Sequence, residues 1–135
     1  MNKNCKGLTL MEIVIVLAVI AILGAIIIPN FSGYTDRARL RSDIQNARVI
    51  QSAIDLYKVE AGKDAWENCT NVTELIAYLV NADYLTGVPS IQTADAVWNY
   101  DDKLKRIFID ISKSSESVKG VRLSEAEKAF VVITN

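Results

Sequence analysis

One ionisable side chain, Glu12, stands inside the run from Leu8 to Ile28, where apart from Thr9 every other residue is apolar or glycine. A charge within such a run costs about 2.5 kcal/mol or more at the depth of a bilayer and less near its surface, so it usually marks function. The plainer role for Glu12 is to favour the positive N-terminal end of its own helix. Other reactive groups are sparse. The chain has no histidine and two cysteines, Cys5 and Cys69, and a thiol without a histidine cannot build the usual nucleophile and base pair. No constellation of acid, base and nucleophile is visible, which argues against an enzyme. Asp95, Asp101, Asp102 and Asp110 supply hard oxygen atoms but lack a regular ligand spacing, so neither a metal nor another cofactor is expected. Lys103, Lys105 and Arg106 near Trp98 and Tyr100 form the only basic and aromatic cluster in the C-terminal half that suits a nucleic-acid strand. Charges at a hairpin end serve solubility, which is the simpler account, and nucleic acid is not expected as a partner.

The element that must position Glu12 is a helix. From Leu8 to Ile28 it would be about 30 Å long at about 1.5 Å per residue, enough to cross the hydrocarbon core of a bilayer. The first six residues form a short polar leader in which Lys3, Lys6 and the α-amine hold that end in the cytoplasm, so the chain points outward. Pro29-Asn30-Phe31-Ser32 follows without a small-residue cleavage pattern, and cutting after the apolar run is not expected. Gly24 and Pro29 interrupt the helix near its outer end; Pro29 lacks an N–H and crowds the carbonyl of Ala25, predicting a bend or a weak place. With 135 residues and a net charge of −1, the chain holds one modest domain beyond the anchor, with no global attraction to nucleic acid. Removing the leader, and Cys5 with it, leaves one thiol and no intrachain disulfide.

Beyond Pro29 the pattern turns amphipathic. Leu40, Ile44, Ala47, Ile54, Tyr57 and Ala61 recur at helical spacing, Val49, Ala53 and Leu56 widen the stripe, and Gly62 is a natural C-terminal cap. Asp36, Arg39, Asp43, Asn46, Asp55 and Lys58 are read as polar surface. Arg37, Arg39, Arg41 and Arg48 interleave with Asp36 and Asp43, the pattern of a solvated, ion-paired face. Asn71-Val72-Thr73-Glu74 has the form of a capping box, predicting a second helix from Val72 to about Asn81. That role explains Asn71 better than its match to a glycosylation sequon does. Residues 96–100 and 105–111 read as strands around a hairpin loop at Asp101-Asp102-Lys103-Leu104, and residues 129–134 as a third strand. Residues 112–117 read as the mobile loop. Residues 120–128 stay open between a strand extension at Val121–Leu123 and a helical turn capped by Ser124-Glu125-Ala126-Glu127. The expected fold is α+β, with a long N-terminal helix, about residues 8–61, packed on a small antiparallel sheet with a second short helix.

Lys6-Gly7 before Leu8, Glu12 beyond it, the apolar run and Pro29 closing it resemble the start of a type IV pilin or pseudopilin. The resemblance covers the first quarter in motif detail and the rest more loosely. It implies residues 1–7 as leader, 8–29 as membrane and filament-core helix, and 30–135 as amphipathic helix and globular head. It further implies that a prepilin peptidase cuts between Gly7 and Leu8 and then methylates the amine of Leu8, where the family usually has phenylalanine. Glu12 would pair with the N-terminal amine of a neighbouring subunit, and the Gly24 and Pro29 region would loosen inside a filament. The partners implied are further pilin copies in a helical filament, the peptidase, and a membrane assembly platform with a cytoplasmic ATPase. The subunit would sit in the cytoplasmic membrane as a single pass before assembly and in a surface filament for adhesion or twitching motility afterwards. Two alternatives stand beside this: a pseudopilin of type II secretion, with calcium at the aspartates above, and a competence pseudopilin that captures DNA through the Lys103 cluster.

Overall fold

The computed structural model describes residues 9–27 and 31–133. They fall into two compact units, residues 1–34 and 35–135. The first holds helix α1, Leu10–Ile27. Its eighteen residues rise about 27 Å at about 1.5 Å each. Among the described residues no helix is long and apolar enough to cross a membrane; Leu8 and Ile28, which complete the expected span, lie outside them. So do Pro29 and the junction at which the expected single helix, residues 8–61, would continue.

Helix α2, Phe31–Ala61, ends where Gly62 takes a left-handed φ of 66°, as the sequence predicts. One face, carrying Leu40, Ile44, Ala47, Ile50, Ala53, Ile54 and Tyr57, is buried. Each large aliphatic side chain removed from water there stabilises the unit by about 1.5 to 3 kcal/mol. Ile50 is missing from the predicted stripe, whereas Val49 and Leu56, counted in it, point outward. Asp43 needs a larger correction. It is fully buried, and its two carboxylate oxygens accept the backbone N–H groups of Gln92 and Thr93, both at 2.8 Å. A carboxylate placed on a helix can thus be read as surface from sequence while its partners lie about fifty residues away.

A 3₁₀ turn, Ala65–Asn68, leads to helix α3, Val72–Asn81. Asn71 caps α3 by accepting the Glu74 N–H, and Glu74 reaches back to the Thr70 N–H at 2.8 Å and hydroxyl at 2.7 Å, one residue before the position predicted. Leu75, Ile76 and Leu79 are its buried stripe. Strands β1, Val97–Asp101, and β2, Arg106–Asp110, form the expected antiparallel hairpin. Ile107 and Ile109 share the buried face, and Ile111 continues it.

The expected antiparallel sheet is corrected by its third strand. After β2 the chain passes through two short helices, α4 (Glu116–Lys119) and α5 (Glu125–Lys128), and β3 (Val131–Val132) returns in the same direction as β2. A crossover of this length permits parallel pairing, which a tight hairpin cannot. The sheet is therefore mixed, in the order β1-β2-β3, with Ile109 N–H donating to the Phe130 carbonyl and Ile111 N–H to that of Val132. β3 is also shorter than the six residues predicted, and Thr134 lies outside the described residues. The predicted loop at 112–117 is tied down: Ser114 is buried and its hydroxyl donates to the Ala94 carbonyl at 2.7 Å, while the Ser117 hydroxyl donates to Asp36. Between the two readings of 120–128 the helical turn prevails, because Ser124 and Glu127 form a capping box.

Candidate functional site

Helix α1 is started by Thr9. Its carbonyl accepts the N–H groups of Glu12 at 3.1 Å and Ile13 at 3.3 Å. The Thr9 hydroxyl also lies 3.3 Å from the Glu12 N–H. Glu12 reaches back, and its Oε2 accepts the Thr9 N–H at 2.8 Å and the Thr9 hydroxyl at 2.9 Å. This is the reciprocal Thr-x-x-Glu cap, which satisfies donors that a helix start otherwise leaves free. Thr9 is the residue that the sequence reading misses. Its signal is the Thr-x-x-Glu spacing, the same form as Asn71-Val72-Thr73-Glu74.

Both hydrogen bonds fall on Oε2, and no donor among the described residues reaches Oε1. Among the described residues the carboxylate thus completes its own helix through Oε2 alone. Around it, Ile13, Val16, Leu17 and Ile20 are all exposed. An apolar surface of this kind is uncovered and awaits lipid or other chains. Gly24 lies inside α1, which runs through it unbroken, and a Cβ built there would meet nothing within 4 Å. Gly7, Leu8 and Pro29 lie outside the described residues.

The other residues singled out from sequence do not gather. Asp101 accepts the Lys103 and Leu104 N–H groups inside the hairpin turn, at 2.9 and 3.0 Å. Asp102 pairs with Lys105 at 2.6 Å, and Asp110 accepts the Ser112 N–H at 2.9 Å. Asp95 takes a left-handed φ of 57°. Among the described residues no three potential metal-ligating side chains converge. The basic and aromatic cluster is likewise dispersed. Lys105 turns to Asp102 and to Asp64, which hold its ammonium above the usual lysine range. Tyr100 is buried and stacked on Trp66 with ring centroids 4.5 Å apart. Arg106 lies over the Phe130 ring at 5.7 Å, and Arg48 of α2 lies 5.9 Å from the same ring. Of the α2 arginines, Arg41 pairs with Glu127 of α5.

The N-terminal segment decides the kinship. Residues 2–28 match the family model described as the prokaryotic N-terminal methylation motif. A "Fimbrial protein" of Neisseria meningitidis serogroup B is 30% identical over 124 residues, covering 88% of this chain and 73% of that relative. The chain belongs to the type IV pilin and pseudopilin family. This pilin-like chain is also similar to the "Type IV major pilin protein PilE1" of Neisseria gonorrhoeae, 29% identical over 124 residues and 88% of this chain but 58% of the relative. A "Type II secretion system core protein G" of Klebsiella michiganensis is 33% identical over 59 residues, 44% of this chain and 42% of that protein. No solved structure matches this pilin-like chain significantly. The family is one of structural subunits, and the chain is not an enzyme.

Proposed function

We propose that the chain is the subunit of a type IV pilus, inserted in the cytoplasmic membrane as a prepilin, cut between Gly7 and Leu8, methylated at Leu8 and polymerised into a surface filament for adhesion or twitching motility. The observation that carries the choice of a pilus is the extent of the likeness. Similarity to the meningococcal fimbrial protein runs over 124 residues, whereas similarity to secretion protein G covers 59. In this reading residues 8–29 form the membrane anchor and filament core, and the exposed apolar side chains of α1 are covered first by lipid and then by neighbouring copies. Glu12 offers Oε1, which no donor among the described residues occupies, to the N-terminal amine of the next subunit, and Gly24 with Pro29 lets the helix loosen. The peptidase and an assembly platform driven by a cytoplasmic ATPase complete the machine.

The reading is tested by expressing the chain as the sole major subunit in a host deleted for its own. Shearable surface fibres containing a mature chain that begins at methylated Leu8 are expected. Restored export of a secreted enzyme without surface fibres would instead favour a secretion pseudopilin, the second reading, for which the match to protein G is the specific support.

A further inference from the structure

Within the unit of residues 35–135 two of the uncovered surfaces are complementary. One is a groove of about 460 Å³ between the crossover and β3. Its floor is apolar, with Ile111, Leu123 and Val131, and its rim carries Lys119, Arg122 and Lys128; among the described residues no carboxylate lines it. Among the described residues Lys119 and Lys128 pair only with Glu116 and Glu125 three residues before them, glutamates that are 90% and 89% exposed. Such surface pairs contribute little and yield readily to a better partner. Arg122 has no ion-pair partner among the described residues.

The other surface is the face of α2 opposite its core stripe. Leu56 (48% exposed) and Val59 (81%) form a short apolar ridge along it, and Val49 (48%) lies two turns before Leu56 with exposed Ser52 between them. At about 100° per residue, Asp55 and Glu60 flank this ridge on its two edges, while Lys58 points to the other side of the helix. The ridge thus has apolar side chains and acids where the groove has an apolar floor and bases.

We propose that the groove receives the Leu56–Val59 ridge of a second copy of this chain, with Asp55 of that copy set against the Arg122 rim. The two surfaces are different patches of one molecule, so the contact is heterologous and propagates from copy to copy instead of closing a pair. It rests on the filament reading above and adds to it a contact between heads, independent of Glu12 and of α1.

The test uses the full chain carrying Val59→Cys and Leu123→Cys together. Under mild oxidation, sheared fibres of the double variant should give a ladder of dimers, trimers and higher species on a non-reducing gel. Each single variant, with the native cysteines as background, should stay monomeric. Fibres of the double variant without a ladder would overturn the contact while leaving the filament reading intact. If no variant or parent makes fibres, the filament reading fails and the same oxidation is run on the detergent-solubilised chain, where a missing ladder also overturns the contact. A charge exchange gives a second readout. Arg122→Glu and Asp55→Lys should each lower fibre yield about threefold or more, and their combination should restore it to within about twofold of the parent, as expected for a directly coupled charge pair. No restoration in the combined variant counts against Asp55 as the partner. A groove that binds a fatty acid or an unrelated peptide with the ladder absent overturns the second-copy assignment.

Discussion

Thr9 and Glu12 cap one another: Thr9 donates its N–H and its hydroxyl to Glu12 Oε2, and the Glu12 N–H returns to the Thr9 hydroxyl. Among the described residues the cap uses Oε2 alone, so the proposed contact of Glu12 with a neighbouring amine is separable from it by mutation. Glu12→Ala should abolish sheared fibres while the protein still inserts in the membrane, because the chain becomes more apolar there. Thr9→Ala should weaken only the helix start, by about 1 kcal/mol, and leave fibre yield near normal. Counting fibres against cell-associated mature protein in both variants decides between them. Equal losses in the two would assign Glu12 to the cap alone.

Gly7→Arg should leave the precursor uncut. A bulky charged side chain does not fit beside a scissile carbonyl in a site built for a small residue. Mass measurement of the membrane-bound chain reads this directly, and a mature mass beginning at Leu8 would refute the cleavage position.

Asp43→Ala should destabilise the head by about 2 to 5 kcal/mol, since it leaves the Gln92 and Thr93 N–H groups without their acceptor in a buried site. Asp43→Asn, which keeps one good acceptor oxygen, should cost less. Chemical denaturation of the detergent-solubilised chain measures both. A midpoint unchanged in the alanine variant would mean that the two loop donors find water.

Short-range signals in this sequence carried much of the architecture. Asn71 and Glu74 announce α3, Gly62 ends α2, and the apolar alternation of Ile107, Ile109 and Ile111 faces the core as expected. What escaped depends on residues far apart in the chain. Asp43 looks like surface until Gln92 and Thr93 are brought to it, and Val131 looks like one more hairpin strand until the path through α4 and α5 sets its direction. At the site, the spacing of Gly7, Leu8 and Glu12 is legible as a motif, whereas the role of Thr9 shows only when Glu12 is considered as a helix cap as well as a charge in an apolar run.

Acid should loosen the head through two capping carboxylates. The Thr70 N–H and hydroxyl hold Glu74 below the usual carboxylate range, and the Ser124 N–H and hydroxyl do the same for Glu127. Because each pKa is depressed in the folded chain, the unfolded chain takes up protons first, near pH 4.3 for a free glutamate, and stability falls from about there downward through the folded value. Thermal unfolding at pH 7 and pH 3 should show a smaller pH-dependent loss in the Glu74→Gln, Glu127→Gln double variant than in the parent. An identical loss in both would show that other groups govern the acid response.

β3 is two residues long, lies at the far edge of the sheet, and pairs with β2 only after the whole crossover has been traversed. The edge of β2 therefore stays open until β3 has been made. A ribosome that stalls before Val131 releases a chain with bare N–H groups at Ile109 and Ile111, a template for strand addition from any neighbour. β3 thus covers the N–H groups of Ile109 and Ile111 and moves the free edge from five-residue β2 to a two-residue strand, which offers a neighbouring strand far less to pair with.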